Sequence, residues 1–185
     1  MNKTIVNKDN PILREIAKPV EEKDLGSKKI LNILNKMRRA LYSEEDGVAI
    51  AAPQVGESLR MFMVRGDILK ANSDPNITND NHYQDLVFIN PEIIRASKKK
   101  RPMDEGCLSV RWLYGKVERS EKVKIKAWDE KGQKIEVGSS GLMAQIFQHE
   151  IDHLNGILFI DKAVDVQDLP PKSKKVSSKK KSKDE

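Results

Sequence analysis

The sequence predicts an α+β fold. Three observations carry that expectation: an amphipathic helical stretch in the first third, short strand-like segments through the middle, and a late helical stretch that is apolar on several faces. At 185 residues the chain is long enough for one domain with a substantial core and too short for two of ordinary size.

In chain order, Asn10-Pro11 reads as a cap followed by a first-turn proline, giving a short helix over residues 11–17 at most before Pro19 breaks it. Ser27 caps the first long helix, in which Ile30, Leu34, Met37 and Leu41 recur at three and four, Leu31 and Ile33 widen the stripe, and Gly47 lies beyond the end. The segment from Gly47 to Gly56 reads as a turn entering a strand. Strand patterns follow at residues 61–64, 86–89 and 93–96, and at the alternating Val123, Ile125 and Ala127. Lys131-Gly132 then forms a hairpin turn into Ile135 and Val137. Residues 70–85, rich in Asn and Asp, are expected to be a long surface loop. Gly138-Ser139-Ser140-Gly141 precedes the second helix, residues 142–155, which Gly156 ends. Apolar residues on several of its faces predict that it is buried.

Charge and cysteine content narrow the function classes. The net charge is +6, but residues 171–185 hold seven lysines against Asp184 and Glu185, a net +5 that leaves +1 for the rest. The basicity belongs to a tail, so a fold-wide face for sequence-specific nucleic-acid binding is not implied. That tail, residues 170–185, is expected to be disordered. A lone Cys107 cannot form an internal disulfide, and residues 1–8 lack the apolar run of a signal peptide, which points to the reducing cytoplasm. No apolar stretch approaches the ~18 residues that span a bilayer, so no membrane role is expected.

The chemistry centres on His149-Glu150-Ile151-Asp152-His153. Residues four apart on a helix lie one turn apart on one face, so both imidazoles point the same way and suit a metal. Glu150, about 100° round the helix, can reach a water on that metal without being a ligand. The bland alternative is two core histidines satisfied by hydrogen bonds. A catalytic site needs a third protein ligand. A histidine six residues past the second is excluded, because Phe159 stands there. A downstream acid (Asp161, Asp165 or Asp168) is poorly supported, and Cys107 in Glu105-Gly106-Cys107-Leu108-Ser109 is the remaining candidate. Two histidines and a thiolate suit Zn²⁺ or Fe²⁺, and Gly106 would let the backbone come close. The loop Gly47 to Gly56 is not a phosphate-binding loop, since no Gly-Lys-Ser/Thr closes it.

Taken in order, Gly47 to Gln54, Glu105-Gly106-Cys107-Leu108-Ser109 and Gln148-His149-Glu150-Ile151-Asp152-His153 resemble peptide deformylases, over roughly residues 5–165. The resemblance implies a catalytic domain over residues 1–169, with antiparallel or mixed sheets packed around a central buried helix that carries both histidines. It implies hydrolysis of the N-formyl group from nascent peptides beginning with formyl-methionine, with one Fe²⁺ for which Zn²⁺, Ni²⁺ or Co²⁺ substitutes. Cys107, His149 and His153 look like the metal ligands, with a water at the open position. Glu150 looks like the group that takes that water's proton and returns it to the leaving amine. The Gln54 amide and the Leu108 N–H resemble oxyanion donors. Glu105 resembles a carboxylate paired with Arg119, steadying the cysteine segment.

Val48, Ala49 and Ile50 are expected beside the substrate. Leu142, Gln145 and Ile146 share the His149 face of their helix and would line a pocket for an unbranched apolar side chain. The chain departs from the family pattern at Ala49, where glycine is usual, and at Arg111-Trp112, in place of proline-glycine. The competing readings are a zinc endopeptidase using a downstream acid, and a basic-tailed RNA- or ribosome-binding module with a closed four-ligand metal site. On the deformylase reading the tail would meet the ribosome through its phosphates.

Overall fold

The computed structural model describes residues 5–67 and 84–171. Most of the expected loop at 70–85 and nearly all of the lysine-rich tail lie outside them. The named elements run α1 (Lys28–Tyr42), β1 (Ala49–Ala51), β2 (Met61–Val64), β3 (Leu86–Ala96), β4 (Lys100–Gly106), β5 (Leu113–Ser120), β6 (Lys122–Trp128), β7 (Lys134–Ser140), α2 (Gly141–Leu154) and β8 (Val164–Asp168). One antiparallel sheet has the order β1-β2-β3-β6-β7 and a second has the order β4-β5-β8. The α+β expectation holds.

Strand alternation divides the core into layers. Phe62, Val64 and Phe88 turn to one face of the larger sheet and pack with Phe147 and Ile151 of α2. Met61, Met63, Val87 and Ile89 turn to the other face and pack with Ile30, Leu34, Met37 and Leu41 of α1. The aromatic centre is tight, with Phe62 stacked on Phe88 at 4.8 Å and Phe88 edge-on to Phe147 at 5.1 Å between centroids. The smaller sheet closes the far side of α2, where Val117 packs with Leu13, Leu158 and Phe159. Nine of the fourteen residues of α2 are buried, and the helix contacts strands of both sheets.

Ser27 caps α1 as expected, its hydroxyl accepting the Ile30 N–H at 3.3 Å. Leu31, assigned to the buried stripe, is instead 37% exposed. The first predicted helix is only a 3₁₀ turn, Pro11–Arg14, capped by Asn10. The two strands expected at 86–89 and 93–96 are one. The strand runs on through Asn90-Pro91 with a register shift between Ile89 and Glu92, and Asn90, at φ 50°, is held by a two-way bond with the Val20 backbone. Three further strands escaped the sequence reading. β4 has a single buried residue, β8 has none, and the inward positions of β5 are Gly115, Val117 and Arg119, so no apolar period shows.

Residues 138–140 finish β7, and Gly141 at φ 57° turns the chain straight into α2. Past its end, the N–H groups of Gly156 and Ile157 bond back to the carbonyls of His153 and Asp152 at 3.1 and 3.0 Å. Gly156 has φ 73°, and a Cβ there would lie 2.6 Å from the Arg14 carbonyl oxygen. Glycine is required twice over, by conformation and by contact.

Candidate metal centre

The two histidines sit one turn apart near the end of α2, with ring centroids 5.0 Å apart. Cys107 follows the last residue of β4. The adjoining Gly106 permits the approach, since a Cβ there would meet the Tyr114 ring at 2.7 Å. Donor atoms of Cys107, His149 and His153 all lie within 4.8 Å of one another, and Cys107 Sγ is 3.2 Å from His153 Nε2. Tetrahedral coordination at ordinary metal–sulfur and metal–nitrogen lengths sets donors about 3.3–3.6 Å apart, so the cluster fits one ion. Thiolate with two imidazoles is a donor set for Zn²⁺ or Fe²⁺ rather than Ca²⁺ or Mg²⁺. Among the described residues no fourth protein ligand joins the cluster. A closed structural site is therefore not what these residues form. Asp161, the nearest of the downstream acids in sequence, is engaged elsewhere, accepting from Arg14 and from the Leu158 N–H.

The surroundings hold each ligand in place. His149 Nδ1 lies 2.9 Å from Glu105 Oε2. Burial would raise Glu105, but hydrogen bonds and charge from His149 and Arg119 outweigh it and hold the carboxyl down at about 2. Ionised, Glu105 can only accept, so His149 donates from Nδ1, and Nε2 is the atom on which a metal would replace a proton. Arg119 donates from Nε and Nη2 to both Glu105 oxygens at 2.7 and 3.0 Å, and from Nη1 to Asp152 at 2.6 Å. For Cys107, burial pushes the thiol up while the positive field of His153 and His149 brings it down to about 5, favouring the thiolate. Glu150 is pushed by burial to about 7, the histidines pulling it down and Cys107 and Glu105 lifting it. Its Oε2 is buried with no hydrogen-bond partner among the described residues. A carboxyl group with a free oxygen and a pKa raised toward neutrality by burial is suited to moving a proton.

Gln54 sits in the 3₁₀ turn Ala52–Val55 that Gly56 ends at φ 81°. Its Oε1 accepts the Ala51 N–H at 2.8 Å, which turns Nε2 toward Cys107 Sγ at 3.5 Å and Ser109 Oγ at 3.3 Å. The amide faces the cluster as a donor. A cleft of about 340 Å³ opens over these groups, with Leu108 on its wall. Val48, Ala49, Leu142, Gln145 and Ile146 line it. Ile50 does not. Adjacent residues of a strand face opposite ways, and the Ile50 side chain is fully buried in the α1 layer. Gln145 is bound to the Asp104 carbonyl at 2.8 Å and reaches Glu105 at 3.5 Å, so it braces the wall as well as lining it.

The sequence reading missed Ser109, Asp152 and Lys162. Asp152 lies inside the histidine motif, but only the fold shows that it meets Arg119 and Lys162. Arg111 and Trp112 stand at the cleft, Arg111 tied to Glu44 and Asp46 at 2.6 Å each and lying over the Trp112 ring.

Residues 2–168 match the family model described as polypeptide deformylase. A peptide deformylase of Halothermothrix orenii is 44% identical over 156 residues, covering 84% of this chain and 89% of that protein. One from Mesorhizobium japonicum is 40% identical, covering 86% and 82%. The crystal structure of a class I type b peptide deformylase from Acinetobacter baumannii with Met-Ala-Ser bound superposes with a TM-score of 0.73 at 36% identity, covering 85% of this chain and 96% of that one. A peptide deformylase from Synechococcus elongatus in complex with actinonin gives 0.71 at 32% identity, covering 86% and 78%.

Proposed function

From the premise that the chain belongs to the polypeptide deformylase family, we propose how its own residues divide the reaction. The chain is a metal-dependent hydrolase that removes the formyl group from N-formylmethionine. In that hydrolysis the water oxygen bonds to the formyl carbon and the C–N bond breaks, giving formate and a free methionine amine. Cys107, His149 and His153 hold the metal, proposed to be Fe²⁺, with Zn²⁺, Ni²⁺ or Co²⁺ able to replace it. When bound, such an ion acidifies water and polarises a carbonyl. Glu150 takes the proton of the attacking water and hands it to the departing amine. The Gln54 amide and the Leu108 N–H donate to the formyl oxygen as negative charge grows there. Ala49, Leu142 and Ile146 line the cleft that takes the methionine side chain.

The observation that carries this division is the meeting of three donor atoms within 4.8 Å beside Glu150, one of whose carboxylate oxygens, Oε2, is buried without a hydrogen-bond partner among the described residues. Formylated nascent peptides are the proposed partners and the cytoplasm the proposed compartment. The lysines of residues 172–185 are proposed to add a salt-sensitive attraction to ribosomal phosphate. The deciding experiment measures bound metal and formate release from formyl-Met-Ala-Ser in the native chain and in Cys107→Ser. One ion per chain with formate release, both sharply reduced in the variant, is expected. Undiminished turnover and metal content in Cys107→Ser would overturn the ligand set.

A further inference from the structure

Lys162 has no part in the chemistry above, yet it closes a line of alternating charge that ends on His149. Its Nζ donates to both Asp152 oxygens, at 2.7 and 2.8 Å. Asp152 Oδ2 also accepts from Arg119 at 2.6 Å, Arg119 grips both oxygens of Glu105, and Glu105 accepts from His149. The Arg119 and Glu105 side chains are 4% and 2% exposed, while Lys162 is 41% exposed. The far end of the line therefore reaches solvent. The turn at Gly156 returns the chain past α2, and the 3₁₀ turn Phe159–Asp161 sets Lys162 over Asp152.

One guanidinium, Arg119, faces two carboxylates, with His149 beyond Glu105 and Lys162 beyond Asp152. At the Asp152 end Lys162 is the second cation, and a carboxylate left with fewer partners draws harder on the one that remains. With the ammonium gone, both Asp152 oxygens compete for Arg119 alone. The guanidinium is drawn toward Asp152, and its two hydrogen bonds to Glu105 loosen.

We propose that Lys162 is a remote positioning residue of the metal centre: by sharing Asp152 with Arg119 it keeps the guanidinium squared on Glu105 and, through Glu105, keeps the His149 ring fixed. The proposal rests on the reading of Cys107, His149 and His153 as metal ligands. The alternative is an ordinary surface ion pair, and the molecule supplies a matched one. Lys36 bonds Glu57 at 2.7 Å with side chains 39% and 33% exposed, and it lies on α1, across the larger sheet from the site.

The test loads the full chain with Zn²⁺ and follows transfer of the ion to a chelator in the native protein, Lys162→Met, Lys162→Arg and Lys36→Met. Removing a group that directly orients a metal ligand commonly costs 10- to 100-fold in affinity, so one step further out the expected effect is about three- to tenfold faster loss in Lys162→Met. Lys162→Arg restores the native rate, and Lys36→Met matches it. Thermal midpoints of the metal-free forms separate loss of positioning from loss of fold. If Lys162→Met does not fold, Lys162→Gln, which can keep a hydrogen bond without the charge, decides the point by the same rate. A native chain that retains one ion alongside a neutral Lys162 variant with unchanged loss rate overturns the proposal alone. A native chain that retains no ion overturns the ligand reading on which it stands.

Discussion

His149 donates its Nδ1–H to Glu105 at 2.9 Å, and Glu105 is in turn held by Nε and Nη2 of Arg119. The carboxylate thus fixes the tautomer and the ring plane of one ligand candidate. Replacing it with an amide keeps the shape but turns an NH₂ group toward either the imidazole or the guanidinium. Glu105→Gln is expected to weaken metal binding by about 10- to 100-fold. Competition with a chelator of known affinity measures it, and binding equal to that of the native chain would refute the role.

Glu150 is beside the cluster but not of it. Glu150→Ala should retain one metal per chain and lose about 10²- to 10⁴-fold in kcat, the range for a group that moves a proton in the transition state. Metal analysis and formate release on the same sample distinguish this from ligand loss. A variant without metal would make Glu150 a ligand instead.

The Gln54 amide is aimed by its bond to the Ala51 N–H. Donors to a developing oxyanion act in the transition state more than in the ground state, so Gln54→Ala is expected to cost about 10²- to 10³-fold in kcat with little change in KM. A rise in KM alone would assign the amide to substrate binding.

Sequence alone exposed the chemistry of the site better than its support. The spacing of His149 and His153, and the absence of any other convincing third ligand than Cys107, could be read from residue types. Glu105 and Arg119 came only through the family resemblance. Lys162 and Ser109 could not be read at all, because a lysine ten residues past Asp152 meets it only after the Gly156 turn folds the chain back. The same division holds for the fold. α1 and β6 were legible because their buried residues are apolar and periodic, whereas β5 buries Gly115 and Arg119, and Ile50 was assigned to the cleft because β1 is too short for its alternation to show.

Ala49 lines the cleft where the family pattern has glycine, and its φ is not positive, so the backbone there does not demand glycine. Ala49→Gly removes a methyl group from the wall and is expected to change KM for formyl peptides more than kcat. The strand loses about 0.5–1 kcal/mol of stability. Altered stability with identical kinetics would show that cleft width is not set here.

Arg14 joins the first 3₁₀ turn to Asp161, whose carboxyl is held below its usual value by the Arg14 hydrogen bond against the opposing effect of burial. Because the native state lowers this group, its contribution is complete above the unfolded value near 4 and is lost as pH falls through the lower native one. The pair is partly exposed and solvent-screened, so Asp161→Asn should cost only about 0.5 kcal/mol at pH 7. The gap from the native chain should close below pH 4, as read by denaturant titrations at both pH values.

Cys107 leaves the smaller sheet, and the histidines are reached only after β5, β6 and β7 have passed through both sheets. An ion shared between residues 107 and 149 is then a reversible cross-link across that whole stretch, the coordination counterpart of a disulfide. On the proposed ligand set it would tie the end of β4 to α2. Withdrawing the metal would then loosen the fold as well as stop turnover.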